Sequence, residues 1–394
     1  MNRMFLYILI AISILSIGLF VFRNDPDHPD RSERIEKNLF NDPSLGNGSE
    51  TYSLWKEPDP ESIVSDYRSW AEFPPDSRPL SRADIDVLEY RKVRVSPQIM
   101  PVRSGGIFKD SGFLCALEPE YHSLVEGENM RIFLYCFRAG NGAKERLDLK
   151  SVRLEARAGA KKSNIDIGLG NDNGLSGDDI AGDGRYTFLF RPRQEDWADM
   201  NITTNFKIHS DANSTEYSLS AGFFSSPVSP AKFVSKKFDD KLKDGSLQIF
   251  TEMDVKESGE YTIQANLYGA GEPIGTSRKE IYLKQGRQTI SLEFFGRLFW
   301  RSRQSGPYTI KDLRAQLNTD VIQPDSLTGS PEEVESFLAK VKDDRPKRKL
   351  VPYSQDEFTT KAYRLEEFAE KEYDSPDKRK RIADLENLKS SLGP

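Results

Sequence analysis

Side chains that do chemistry are scarce in this chain. It carries three histidines and two cysteines in 394 residues, and no H-E-x-x-H, G-x-S-x-G, P-loop or C-x-x-C spacing occurs. These absences remove the zincin, nucleophile-elbow hydrolase, phosphate-loop and thioredoxin-like readings. A Ser/His/Asp site assembled from distant residues is the remaining route to hydrolysis, because triads are defined by geometry. His28 falls in a polar stretch, and His122 and His209 fall near strand ends, where ordinary surface histidines sit. No strong excess of one charge exists either: the net charge is -6 with 30% charged residues, a mildly acidic balance that argues against nucleic acid as a partner.

One long apolar run is present. Met4 to Phe22 contains no charged residue, and a helix of that length, rising ~1.5 Å per residue, crosses a ~30 Å hydrocarbon core. The bulky Leu19, Phe20, Val21 and Phe22 leave no small-residue cleavage site before Arg23, which reads as an uncleaved anchor. Arg3 precedes the run and Asp25, Asp27 and Asp30 follow it. The positive-inside rule then puts the N-terminus in the cytoplasm and the body in the periplasm, an inner-membrane, single-pass arrangement.

The expected organisation is a transmembrane anchor (1–23), a flexible tether (24–61), an ordered extension (62–102), a first β-sandwich (103–228), a second (229–320), and C-terminal helices with an extra strand on the second sandwich (321–394). The tether is rich in Asp, Pro, Asn, Ser and Gly, a composition that cannot repay its ordering entropy, and as a coil it spans about 35 Å. Short β-branched and aromatic runs follow: Phe113–Leu117, Arg131–Phe137, Ser151–Ala156, Ile165–Leu169, Tyr186–Phe190, Ile202–Ile208 and Tyr217–Phe224. Gly, Asn and Asp turns separate them with no helical pattern between, which predicts an antiparallel sandwich.

A second set alternates strictly: Leu247 and Ile249, Met253 and Val255; Tyr261, Ile263, Ala265 and Leu267; Ile290, Leu292 and Phe294. From Tyr308 to Leu317 the apolar parity flips after Ile310, which predicts a β-bulge. Ser330-Pro331-Glu332-Glu333 opens a helix that Val334, Phe337, Leu338 and Val341 continue. Phe358–Tyr363 reads as a further strand. A last helix begins at Ser375-Pro376-Asp377, and its stripe Ile382, Leu385, Leu388 and Leu392 is expected to dock on the sandwich.

Cys115 and Cys136 sit in apolar strand-like runs, and export permits their oxidation to a disulfide; two buried free thiols are the alternative. Asp172, Asp178, Asp179 and Asp183, interleaved with glycines, offer hard oxygen ligands and a pliable backbone, the requirements of Ca²⁺. Against that stands a structural turn in which Asp and Asn side chains hold local amides. Phe295, Phe299 and Trp300 lie beyond the alternation of Leu292 and Phe294 and form a candidate aromatic binding platform, with core packing as the alternative. Two basic patches, 345–349 and 378–381, have acidic neighbours and read as solvated surface.

The stretch from Asn171 to Thr187, NDNGLSGDDIAGDGRYT, resembles the acidic D-x-G-x-x-G-D-x-x-A-G-D-G-x-Y-T loop of bacterial exported proteins carrying a choice-of-anchor X domain. Glu260–Gly269, Gly286-Arg287-Gln288, Phe295-Gly296, Gly306–Leu313, Thr360–Tyr363 and Tyr373–Pro376 follow in that family's order. The resemblance implies two immunoglobulin-like sandwiches displayed from an envelope anchor, and it brings no catalytic residue.

The expectation is therefore a mainly β chain that works as an anchored binding or scaffolding module for an envelope protein or polymer, without catalysis. An envelope hydrolase or processing enzyme using the acidic loop, with or without a metal ion, and a passive spacer are the two rivals.

Overall fold

In a computed structural model of the chain, residues 60–104, 106–140, 142–159, 161–319, 330–335 and 346–392 are described. The apolar run 4–22 and nearly all of the expected tether lie outside them, as do Phe337, Leu338 and Val341. No helix among the described residues is long and apolar enough to cross a membrane.

The fold is mainly β. The chain opens with helix α1 (Pro60–Trp70), strand β1 (Ser77–Pro79) and a short helix α2 (Ile85–Leu88). Strands β2 (Gln98–Ser104), β3 (Ile107–Pro119), β4 (Ser123–Leu124), β5 (Met130–Arg138), β6 (Leu147–Ala158), β7 (Lys161–Ile165), β8 (Tyr186–Phe190), β9 (Ala198–Ile208) and β10 (Glu216–Ser225) come next. They make a sheet of order β2-β3-β5-β8 and another of order β4-β10-β9-β6-β7. Each pairing is antiparallel apart from the two-residue parallel contact of β4 with β10.

The inward positions of both sheets share one core. Leu117, Ile132, Leu134, Phe188 and Phe190 of the first sheet meet Leu154, Met200, Ile202 and Phe206 of the second. Removing such a side chain from water is worth about 1.5–3 kcal/mol. β9 carries the alternation most cleanly, with every second residue from Ala198 to Ile208 buried.

The second core is built from β11 (Ala231–Lys243), β12 (Ser246–Val255), β13 (Gly259–Gly269), β14 (Glu272–Leu283), β15 (Gly286–Phe294) and β16 (Tyr308–Asn318), with helix α3 (Arg297–Ser302) between the last two. Sheet β11-β12-β15 faces sheet β1-β14-β13-β16-β17, where β17 is Arg348–Leu350 and β18 (Phe358–Thr359) also pairs with β16. The parity flip in β16 is a bulge: the pairs Gln264↔Arg314 and Asn266↔Lys311 enclose one extra β16 residue, and Asp312 has φ 57°.

Chain order and space disagree at the N-terminal side. β1 pairs with β14, Ser77 opposite Ser277 and Pro79 opposite Gly275, and Phe73 is buried in the second core. The chain therefore starts on the second core, builds the first, and returns. A three-residue strand ending in proline carries no periodic signal, so no partner for this segment is readable from its residues.

Three expectations need correction. The strand expected over Ile165–Leu169 ends at Ile165, because Gly168 adopts φ 70° in a turn whose amide donates to Asp166 Oδ1, and Leu169 is exposed. The last helix, α4 (Pro376–Leu392), packs against α1 and not on a sheet; Leu385 and Val64 are buried, and Arg68 pairs with Glu386. The strand expected over Phe358–Tyr363 is limited to Phe358–Thr359, because it pairs with β16 only at Ile310 and Thr309; of the helix opened by Pro331, residues 331–335 are described and are helical.

Cys115 and Cys136 face each other across β3 and β5, form a disulfide, and are both 0% exposed. The bridge spans 21 residues in sequence, and a loop of that size is worth about 3 kcal/mol through the unfolded chain. The double variant Cys115→Ser, Cys136→Ser should lower unfolding free energy by that order in urea titration; equal midpoints for it and the oxidised protein would contradict a structural role.

Candidate functional site

The acidic loop lies between β7 and β8. Here the Asp-Gly composition does what it predicts locally: Gly174, Gly177, Gly182 and Gly184 all take positive φ, and the carboxylates turn inward to the loop's own amides. Asp172 accepts from the Asp183 and Gly184 amides at 3.0 Å each, and Asp178 from the Gly174 amide at 2.6 Å. Asp183 accepts from Lys144 Nζ at 2.9 Å and from the Arg185 amide at 2.8 Å.

Asp172, Asp178 and Asp183 bring ligand atoms within 4.8 Å of one another. The set would suit a hard cation by donor type, but these same oxygens hold the loop's backbone, so an ion would compete with those amides. Asp179 is not part of the group: it turns to Arg131, which bridges it at 2.9 Å and Glu120 at 2.7 Å. Burial works against ionisation of Asp183, yet the Lys144 and Arg185 hydrogen bonds hold its carboxyl below the ordinary range.

Phe295, Phe299 and Trp300 do not form an exposed platform. Phe299 is 0% exposed and stacks on Phe368 with ring centroids 3.7 Å apart; Trp300 Nε1 donates to the Phe368 carbonyl at 2.9 Å, and Phe295 meets Tyr373 edge-on. The C-terminal segment covers all three. That cover depends on two glycines: a Cβ on Gly296 would strike the Gly245 carbonyl and meet the Ala369 carbonyl and amide at 2.6 Å and 2.8 Å, and a Cβ on Gly245 would meet the Ala369 amide at 2.7 Å.

Two features emerge that sequence patterning missed. The first is the outer half of the β2–β3 hairpin. A register shift between Ile99 and Pro101 absorbs Ser111 and Gly112, and β5 pairs with β3 only from Phe113 onward. Residues 101–104 and 106–110 thus run past the sheet as a two-stranded ribbon with Ile107 66% and Phe108 71% exposed near its tip.

The second is a cleft of about 380 Å³ where the two cores meet, lined in part by Tyr90, His122, Arg278, Arg314, Arg348 and Tyr353. Both cores belong to one compact unit. Arg314 lies over the Tyr90 ring at 4.1 Å, its Nη1 is buried with no hydrogen-bond partner, and burial pulls its guanidinium below the ordinary value. Burial likewise pushes the Tyr90 hydroxyl up to about 12. The six segments that supply this cleft are scattered from Tyr90 to Tyr353, so no local motif marks it.

Residues 231–326 match the family model described as the C-terminal domain of DUF4785, a domain of unknown function. That finding overturns the likeness to choice-of-anchor X proteins, whose second-sheet motifs, Glu260–Gly269 and Gly306–Leu313, fall inside the matched stretch. A DUF4785 family protein from Legionella pneumophila is similar in structure at TM-score 0.39 and 17% identity over 52% of each chain, so this chain spans about half of that protein's length. The chicken CNTN1 FN1–FN3 domains are similar at TM-score 0.21 and 10% identity, covering 62% of this chain and 66% of theirs. A marsupial T cell receptor is similar at TM-score 0.18 and 10% identity, covering 63% of this chain and 72% of its own. No curated protein sequence matches the chain.

Two outcomes follow from the loop and the aromatic cover. A carboxyl held low in the folded state contributes stability that is present above the unfolded pKa of about 4 and is lost as pH falls through the folded value. Asp183→Asn should therefore cost stability at pH 7 and flatten the fall in melting temperature between neutral pH and pH ~3; a variant with an unchanged acid slope would remove Asp183 from that role. Gly296→Ala should cost about 1–3 kcal/mol and expose Trp300, read as a red shift and easier quenching of its fluorescence.

Proposed function

We propose that this chain is a single-pass, inner-membrane envelope protein whose two immunoglobulin-like β-sandwiches form a periplasmic recognition module with no catalytic step of its own. The apolar run 4–22 supplies the anchor and residues 24–61 the reach. A buried disulfide suits an oxidising compartment. The immunoglobulin-like reading draws on paired sheets around each core and on tyrosines that tie strands to preceding backbone: Tyr261 donates to the Glu257 carbonyl at 2.7 Å and Tyr308 to the Gln304 carbonyl at 2.8 Å.

The β2–β3 ribbon carries the proposal. A two-stranded ribbon is marginal on its own, and exposing Ile107 and Phe108 at its end forfeits burial that any apolar partner surface would restore. Arg103 and Lys109 flank the apolar tip and supply orientation at its rim. The partner is an envelope protein with an apolar cleft or a free sheet edge of its own.

The deciding experiment is photo-crosslinking in intact cells from a probe at position 107, with a second probe at the exposed Tyr282 of β14 as reference. One envelope protein recovered from position 107 and absent from position 282 is the expected result. The variant Ile107→Ser, Phe108→Ser should abolish that adduct while changing stability by no more than about 0.5 kcal/mol. Identical adduct patterns from both probes would defeat the recognition reading.

A further inference from the structure

The cleft between the cores has a chemical bias that the hairpin reading does not use. Three arginines line it, Arg278, Arg314 and Arg348, and its described lining contains no aspartate or glutamate. Arg278 is engaged by Glu280 at 2.7 Å outside the lining. Among the described residues no carboxylate lies within salt-bridge distance of Arg314 or Arg348.

The carboxylate nearest to Arg314 in sequence, Asp312, is committed elsewhere. Its Oδ2 accepts from Asn266 Nδ2 at 3.0 Å and from the Tyr268 hydroxyl at 3.1 Å. A guanidinium with a buried, unpartnered Nη1 is costly to maintain, because its desolvation is not offset by a hydrogen bond. An oxyanion on the guanidinium's other nitrogens offsets that cost, and a planar carboxylate matches the fork best.

Beside His122, the lining adds four neutral, hydroxyl-matching side chains: Ser123, Thr262, Gln264 and Gln316. The Ser123 hydroxyl is already placed by Tyr353 at 2.9 Å. These groups both donate and accept, which suits a ligand with several hydroxyls. A volume of about 380 Å³ falls at the small end of ligand pockets, room for one sugar-sized molecule and not for a polymer chain.

We propose that this cleft binds a small polyhydroxylated carboxylate, of the sugar-acid class, with the carboxylate on Arg314 and Arg348 and the hydroxyls on the Thr262, Gln264 and Gln316 side. The site uses a different set of residues from the ribbon, so loss of the ribbon's partner leaves it intact and the reverse also holds.

The test is calorimetric titration of the purified full-length chain with glucuronate, with glucose and inorganic phosphate as comparison ligands. Glucuronate should bind in the millimolar range or tighter, more weakly as salt rises, and glucose should not bind. Arg314→Gln should weaken glucuronate about tenfold or more. Arg314 is largely buried, so the exposed Arg348→Gln serves as a second variant, with a weaker but clear loss while its melting curve stays that of the wild type. Equal glucuronate affinity in wild type and both variants, or binding of phosphate without glucuronate, would overturn the proposal.

Discussion

The structure depends on a short strand that both cores share. β17 pairs with β16 through Leu350 and Gln316, yet its own backbone is held by the first core: Leu350 N donates to Ser226 Oγ at 2.8 Å, and Trp197 Nε1 donates to the Arg348 carbonyl at 2.9 Å. Leu350 packs with Val125 and Phe224, and Lys349 reaches Glu257 at 2.6 Å. A backbone segment hydrogen-bonded on two sides cannot follow one core without straining its bonds to the other. The cleft inherits that rigidity, since Arg348, Leu350 and Tyr353 belong to the same segment. A site made at a joint keeps its geometry only when the joint is fixed, and here a few polar bonds with one small apolar cluster do the fixing.

The surface divides into protected and unprotected parts. β11, at the edge of the three-stranded sheet, is lysine-rich and broken by a register shift between Phe233 and Phe238, with Lys236 at φ 55°, so another strand finds no regular template there. β7, at the edge of the five-stranded sheet, is short and exposes two adjacent lysines. The β2–β3 ribbon differs at its tip, where Ile107 and Phe108 are exposed between Arg103 and Lys109.

Legibility in the sequence followed periodicity. Strands with strict alternation, β9, β12, β13 and β15, were readable, and the β16 parity flip located the bulge at Asp312 to within two residues. β14 was not readable because its middle residues, Gly275, Thr276 and Ser277, are small and polar while still buried under β1 and Leu298; a Cβ on Gly275 would meet Leu298 at 2.8 Å and the Arg78 carbonyl at 2.9 Å. The aromatic trio misled for a related reason: exposure was inferred from the end of an alternation, whereas the covering segment comes from some 70 residues later, as the pair Trp300 and Phe368 illustrates, 68 positions apart. The family resemblance failed over its second-sheet motifs, Glu260–Gly269 and Gly306–Leu313, which fall in the stretch that matches the DUF4785 C-terminal domain. The disulfide was legible because both cysteines fell in strands, although only the structure shows them directly opposed.

The pairing of α1 with α4 has a mechanical meaning. Residues before Pro60 join the folded unit through α1, so any pull on that side enters the unit there. The load would first peel α1 from α4, breaking the Arg68–Glu386 contact and uncovering Val64 and Leu385, before reaching Phe73 and β1 in the core. The contact between the two helices is thus the first interface such a load meets, ahead of both sheets.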